Sequence, residues 1–197
     1  TSLKIVPSST GNRKTFSISA WVKRGNLSAH QGIIGARYFD GDTNGSYRNM
    51  WIRFTSSDTF MVYDAPDQGA NINLQTNAVF RDVSAWYHIV VAVDTTQATA
   101  SNRVKIYING IQETSFSTST YPSLNQDTEF NLAGNEIYIG TLPAFTGGPD
   151  SNRIFNGYMA EACLIDGTAL DPTSFGEFDE DTGIWKPIDV SGLTFGT

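Results

Sequence analysis

The sequence predicts an all-β fold, an antiparallel two-sheet β-sandwich. Apolar and polar residues alternate in short runs, as in "TFSISAWV", where Phe16, Ile18, Ala20 and Val22 fall on one side. That period of two is typical of a half-buried antiparallel strand. The runs are separated by turn-forming clusters such as "GDTNGS", "TGGPDSN" and "DGTALDP". Regular short strands between such turns are typical of a sandwich.

Further runs extend the pattern over most of the chain. They are 50–54, 59–64, 86–93, 103–108, 135–140 and 156–165. Helical signals are few: Asp171 is a plausible N-cap and Pro172 suits a first helical position, which predicts a helix of about one turn.

Two of these runs, 86–93 and 103–108, are predicted to pair as a hairpin joined by a long polar connection, 94–102, which we expect to be a solvated tip. The dipeptide Asn109-Gly110 accepts two positive φ angles, so the chain turns again into a three-strand meander. The residues predicted to face each other are Val104, Ile106 and Ile108 on the second run and Val90 and Ala92 on the first.

The composition predicts one domain over 1–197. The chain has 197 residues, of which 40% are hydrophobic, enough for a single core. Its one cysteine, Cys163, excludes an internal disulfide.

The charge and hydropathy exclude several partner classes. A net charge of −7 with scattered Lys and Arg gives no basis for holding nucleic acid or an anionic membrane. The longest apolar run, Ile89–Val93, is too short to cross a bilayer, and no signal peptide precedes it. We therefore expect a soluble domain without a transmembrane segment.

Several motifs in order carry a family resemblance. The order "SISAWVK", "WYHIVVAVD", "KIYINGIQ", "IYIG" and "FNGYMAEACLIDGTAL" resembles the laminin G-like and pentraxin-like branch of the concanavalin A-type jelly rolls. The longer stretches around "TYPS" and "LIDGTALDPTSFGEFDEDTGIWKP" resemble versions of this domain in virion structural proteins of tailed bacteriophages, tail fibres in particular. In such sequences a further strand follows "TFGT", which implies a chain trimmed from a longer one.

The resemblance implies a jelly roll, a fold that hosts enzymes, glycan binders and structural modules, so the site has to decide the function. A glycosidase on this fold needs paired carboxylates, usually E-x-D-x-E on one strand. The sequence has no such stretch, and Glu136 and Glu161 stand singly. His88 lies within an alternating run, where a satisfied sheet histidine is favoured over a catalytic base. We therefore predict no enzyme.

Calcium is the candidate cofactor. Asp40, Asp42 and Asn44 alternate before Gly45, as in the first half of an oxygen-rich Ca²⁺ loop. The resemblance implies a second acidic cluster after the strand 135–140, but Thr141, Leu142 and Pro143 occupy that place. The alternative is an ordinary turn and no cofactor.

Sugar binding is the remaining chemistry, because aromatic faces and nearby amides and carboxylates bind sugars. Two loops that the family topology places on one rim supply them. The candidate ligand residues are Tyr38, Asp42, Asn44, Tyr47, Arg48, Phe145, Asp150 and Asn152.

The function predicted from sequence is a non-enzymatic module on the exterior of a virion that binds host-surface glycan. Its partners are then that glycan and other virion subunits, with a homo-oligomer in the assembly. The alternative is a capsid or tail decoration domain without a glycan ligand, and a glycoside hydrolase is the remote third.

Overall fold

The structure, a computed structural model, describes residues 2–38, 48–66, 69–144 and 147–196. It is an antiparallel two-sheet sandwich, as predicted. The first sheet has the order β1-β11-β3-β4-β5-β6-β10 and the second β12-β2-β7-β8-β9, and β13-β14 form a separate hairpin. The strands are β1 (Leu3–Ile5), β2 (Thr15–Arg24), β3 (Gln31–Arg37), β4 (Asn49–Phe54), β5 (Thr59–Ala65), β6 (Ile72–Val79), β7 (Tyr87–Asp94), β8 (Val104–Ile108), β9 (Ile111–Gln112), β10 (Phe116–Thr120), β11 (Glu136–Ile139), β12 (Gly157–Asp166), β13 (Gly176–Phe178) and β14 (Trp185–Pro187).

Two short 3-10 helices, Ala100–Asn102 and Pro172–Ser174, interrupt the strands. Asp171 caps the second one, accepting from the backbone N–H of Thr173 at 2.9 Å, as its sequence predicts. No helix in the described part of the chain has the length and apolar character needed to span a membrane.

The core lies between the two sheets and is built from the inward side of each alternating strand. Phe16, Ile18, Ala20 and Val22 of β2 belong to it, which confirms their predicted common face. From the first sheet, the alternating apolar residues of β4 and β5 pack against them.

The sequence does not predict strand β3, because apolar and polar residues do not alternate in its segment "QGIIGAR". Its register with β4 shifts between Gly32 and Ile34, so Ile33, Ile34 and Ala36 all reach the core. The strand is nevertheless central to the first sheet, because β11 and β4 pair with its two edges.

The predicted hairpin forms between β7 and β8, but the predicted facing pairs are wrong by one residue. The core pairs are Ile89 with Ile108, Val91 with Ile106 and Val93 with Val104. Val90 instead faces away from the core, into a second apolar cluster with Ile165 and Phe175. Residues 96–102 of the connection are all exposed, as expected of a solvated tip.

The C-terminal segment covers the outer face of the second sheet. Ser17 and Ser19, predicted on a half-exposed strand face, are buried. The hydroxyl of Ser17 donates to the carbonyl of Thr168 at 2.7 Å and accepts from the N–H of Leu170 at 2.6 Å. Strand β2 is therefore buried on both faces, because residues 168–195 form a third layer over part of this sheet.

His88 connects the third layer to the second sheet through two hydrogen bonds. The indole N–H of Trp185 donates to His88 Nδ1 at 2.8 Å, so the proton of the neutral ring is on Nε2, which donates to Ser19 Oγ at 2.8 Å. Trp21 stacks on the same imidazole, with ring centroids 4.8 Å apart. Because both ring nitrogens are occupied, His88 is the satisfied sheet histidine that the sequence favoured.

Acid should destabilise the fold through this ring. Burial lowers the pKa of His88 to about 4, below its ordinary 6.5, so the unfolded chain takes up a proton that the folded chain refuses. The contribution of the neutral His88 ring to the free energy of unfolding is complete above pH 6.5. It decreases by about 3 kcal/mol as the pH falls to 4.

We expect His88→Gln, which keeps one donor and one acceptor, to flatten this slope in urea unfolding measured from pH 7 to pH 4. Equal slopes for the two proteins would contradict the assignment.

Candidate functional site

The outward side of the first sheet carries aromatic and basic side chains. Met50, Ile52 and Phe54 of β4 enter the core, so the alternate residues Trp51 and Arg53 point outward. On β5, Tyr63 lies across from Trp51, and the two rings stack with centroids 5.4 Å apart. Both rings are half-buried, so they form a flat aromatic surface in the middle of the sheet.

Two arginines border Trp51. The Cζ atoms of Arg53 and Arg153 each lie 5.2 Å from the centroid of its ring system, a cation–π distance. Arg153 comes from the loop after β11, and its Nη1 makes an ion pair with Asp150 Oδ2 at 2.9 Å. The aromatic surface is therefore bounded by two guanidinium groups, one of them oriented by a carboxylate.

The loop that carries Arg153 packs directly on β3. The N–H of Gly32 donates to the carbonyl of Arg153 at 2.9 Å. A Cβ at Gly35 would lie 2.6 Å from Cδ of Pro143, so a side chain there would push the loop off the strand. Glycine on β3 thus places Arg153 over the neighbouring strand β4.

The described charged groups at this surface are two arginines and the carboxylate of Asp150, a net positive set, although the chain as a whole is acidic. Burial, and after it the charge of Arg153, lower the pKa of Arg53 to about 10. Burial and the same two arginines lower the pKa of His30. Within the described residues Arg53 has no ion-pair partner, and its buried Nε has no hydrogen-bond partner. A guanidinium in that state favours an incoming anion.

The described residues predicted to bind ligand divide into two groups. Asp150 and Asn152 lie in the loop beside Gly32, where the N–H of Asn152 donates to Asp150 Oδ1 at 2.8 Å. Tyr38 and Arg48 lie past the paired ends of β3 and β4, where the N–H of Tyr38 donates to the carbonyl of Arg48 at 3.1 Å. The expected single rim for the two groups stays a prediction.

Tyr38 and Arg48 do lie together, but Arg48 is held by a buried carboxylate. Its Cζ is 5.1 Å from the Tyr38 ring centroid, and its Nε donates to Glu129 Oε2 at 3.1 Å. Arg13 donates to the other oxygen of Glu129 at 3.1 Å. This ion-pair network connects the end of the first sheet to the segment before β11.

The other predicted site residues lie outside the described residues. They are Asp40, Asp42, Asn44, Tyr47 and Phe145. The calcium site is thus still a prediction. Among the residues that are described, no three His, Cys, Asp or Glu side chains are grouped to hold a metal ion.

The single carboxylates on strands do not converge on the aromatic surface. Glu136 accepts from Lys4 Nζ at 2.6 Å and from the Tyr138 hydroxyl at 2.9 Å. Glu161 is exposed on β12 of the other sheet. Cys163, on the same strand, is half-buried, and burial raises the pKa of its thiol.

Trp51, Arg53 and Tyr63 are not among the ligand residues predicted from the sequence, because those predictions rest on polar and aromatic residues in loops. The signal was in the strands themselves. Beside the core positions of "MWIRF" and "TFMVYD", the outward residues are large rather than small and polar as on an ordinary solvated face: Trp51, Arg53, Met61 and Tyr63.

A family model described as the concanavalin A-like lectin/glucanases superfamily, of laminin G type, matches residues 1–164. The chain belongs to this superfamily. No curated protein matches this lectin-like chain significantly.

Solved structures share the lectin-like fold at low sequence identity. The heptameric SAP-like pentraxin from Limulus polyphemus has a TM-score of 0.56 and 15% identity, over 86% of this chain and 70% of the pentraxin. The CBM40 of Ruminococcus gnavus IT-sialidase bound to α2,3-sialyllactose has a TM-score of 0.52 and 13% identity, over 86% of this chain and 92% of that one. The Trypanosoma rangeli sialidase complexed with a difluoro-KDN has a TM-score of 0.50 and 15% identity, over 81% of this chain and only 21% of the sialidase.

Asp64, beside the Glu129 network, gives a stability test. Burial, and to a lesser extent the charge of the Glu129 carboxylate, raise its pKa to about 7. The backbone N–H of Glu129, which donates to Asp64 Oδ1 at 2.7 Å, acts in the opposite direction. Because the folded pKa exceeds the unfolded one, the stabilising contribution is complete below pH 4 and is lost as the pH rises through 7.

We expect Asp64→Asn, which is neutral at every pH, to raise the free energy of unfolding at pH 8 by as much as about 4 kcal/mol and to change it little at pH 4. Urea unfolding at the two pH values measures this. An asparagine variant that is less stable at pH 8 would show that the ionised carboxylate is stabilising.

Proposed function

We propose that this superfamily member is a carbohydrate-binding module without catalytic activity, and that its ligand is a glycan bearing a carboxylate. The proposed site is the aromatic surface of Trp51 and Tyr63 with the guanidinium groups of Arg53 and Arg153. The observation that carries the proposal is the half-buried Arg53, which lies beside a second arginine and has no ion-pair partner among the described residues.

Each part of the site matches a part of an acidic sugar. The indole and phenol rings offer apolar faces to the CH groups of a sugar ring. A carboxylate can accept from two guanidinium nitrogens in charge-assisted bonds, which are stronger than bonds between neutral groups. The similar CBM40 structure, which is bound to α2,3-sialyllactose, supports this ligand class.

Binding without hydrolysis is favoured by the chemistry of the same surface. A glycosidase flanks the scissile bond with two carboxyl groups. Here the described surface offers Asp150, whose carboxylate is engaged by Arg153 at 2.9 Å. The guanidinium therefore neutralises the carboxylate that a hydrolase would need as an acid or a nucleophile.

Isothermal titration of the full chain with α2,3-sialyllactose and with lactose tests the proposal, because the two sugars differ only in the acidic residue. We expect sialyllactose to bind at least tenfold more tightly than lactose. Arg53→Met and Arg153→Met should each abolish the difference, while Trp86→Leu on the other sheet should preserve it.

Arg53→Met removes a poorly solvated charge, so we expect the melting temperature of this variant to be unchanged or higher. The loss of binding is then not explained by unfolding. Equal binding of lactose and sialyllactose, or a sialyllactose affinity unaffected by both arginine variants, would contradict the proposal. A panel of uronic acid oligosaccharides extends the test to other carboxylate-bearing glycans.

The biological setting that we propose is the exterior of a virion, with host-surface glycan as the target and other virion subunits as partners. Its support is the resemblance of the sequence to domains of tailed-bacteriophage fibres. The structural alternative, an assembly domain without a glycan ligand, is supported by the heptameric state of the similar pentraxin.

Mass photometry of the purified chain without glycan separates these two settings. We expect the glycan-binding module to be monomeric or to form small closed oligomers that still bind sialyllactose. Ordered arrays that form without ligand, together with no glycan binding, would favour the structural alternative.

A further inference from the structure

A groove of about 660 Å³ crosses the outer face of the second sheet, on the opposite side of the sandwich from Trp51. Its floor contains Trp21 of β2 and Trp185 of β14, the two indoles that contact His88. One wall is the β13–β14 hairpin, and the ends are formed by β12 and β9. Four of its lining side chains are large, apolar and exposed: Trp86 by 40%, Ile111 by 66%, Phe178 by 50% and Ile184 by 65%.

The groove is long enough for an extended chain. Outside the hairpin, its lining residues lie on β12, β2 and β9 and directly beside the ends of β7 and β8, at Trp86 and Asn109. Strands β12 and β9 are four strand spacings apart. At about 4.8 Å for each spacing the groove spans about 19 Å, the length of roughly six residues in an extended peptide.

The rim of the groove is acidic. The hairpin segment "GEFDEDTGIWKP" carries one lysine, Lys186, and four acids that line a smaller adjoining pocket, which shares Phe178 and Lys186 with the groove: Glu177, Asp179, Glu180 and Asp181. That lysine is already neutralised, because its Nζ lies 3.0 Å from Asp179 and 3.4 Å from Glu177.

Glu161 adds a carboxylate at the β12 end of the groove. It lies where the register of β12 against β2 shifts, and its φ of 50° is in the left-handed region. A bulge of this kind redirects a side chain relative to its neighbours. Here Glu161 becomes part of the groove lining.

The polar groups of the groove do not suit a sugar. The Asn109 side-chain oxygen already accepts from the N–H of His88 at 2.7 Å, and Lys186 is paired with two carboxylates. Few donors are left for hydroxyl groups. Apolar walls and an acidic rim instead match side chains that end in a positive charge on an apolar stem.

We propose that this groove binds an extended peptide segment of a partner protein, in which apolar side chains alternate with lysine or arginine. The apolar side chains pack on Trp21, Trp86 and Ile184. The cationic groups reach Glu161 and the carboxylates of the hairpin. This surface is independent of the glycan site, since the two lie on different sheets.

Fluorescence anisotropy of three labelled hexapeptides with the full chain tests the proposal: alternating Leu and Lys, alternating Leu and Glu, and alternating Ser and Lys. We expect only the Leu-Lys peptide to bind, with affinity that falls as salt is raised. Ile184→Ser should weaken it at least tenfold and Glu161→Gln severalfold. The matched controls, Leu124→Ser for an exposed leucine elsewhere and Glu136→Gln for an acid on the first sheet, should not change it.

Three results would overturn the proposal: no binding of the Leu-Lys peptide at millimolar concentration, equal binding of the Leu-Glu peptide, or affinities unchanged by both groove variants. Melting temperatures identify any variant that fails to fold, and Ile111→Ser then replaces Ile184→Ser. Sialyllactose titration of the same groove variants should give the wild-type affinity, so failure here is distinguishable from failure of the glycan site.

Discussion

Strict alternation of side chains across a sheet is the constraint on which the rest of this structure depends. In β4, Met50, Ile52 and Phe54 have to fill the core, and the pleat then turns Trp51 and Arg53 outward with no freedom to do otherwise. A one-residue slip of this strand would bury a guanidinium and expose the core residues. The hydrophobic core therefore fixes the position of the proposed ligand groups, and it does so on a rigid sheet.

The half-buried position of Arg53 has an energetic cost, which helps to explain why the proposed site favours an anionic ligand. Arg53 is removed from much of its water and lies beside a second guanidinium, and neither effect favours its charge. By contrast, the fully buried Arg24 is satisfied on every side: by Gln31 at 2.9 Å, by Asp58 at 2.9 Å and by the face of Phe54 at 4.5 Å. One fold thus contains a structural arginine with partners and a half-buried arginine, Arg53, that has no ion-pair partner in the part of the chain that the structure describes.

The sequence was sufficient for the sandwich and for the inward faces of its regular strands, because a period of two reports burial directly. The sequence was not sufficient where the burial of a residue depends on tertiary contacts and not on the local pattern. Strand β3 packs against the core on one side and against a loop on the other. The glycines that allow this packing interrupt the alternating pattern, so the strand was not predicted. The position of Val90 depends on a C-terminal layer that no local pattern shows. The ligand residues on β4 and β5 were visible as an unusual outward face, but the meeting of Arg153 with Trp51 is a tertiary contact between distant segments.

The two faces of the sandwich differ in charge as well as in position. The first sheet presents aromatic rings with guanidinium groups, whereas the second presents a tryptophan-lined groove with an acidic rim. The proposed glycan site is on the first sheet. A crystal structure of the chain with α2,3-sialyllactose tests it most directly. The account predicts the sugar over the rings of Trp51 and Tyr63, with its carboxylate between Arg53 and Arg153. A sugar bound instead at the Tyr38–Arg48 end of the sheet, or in the groove of the second sheet, would contradict it.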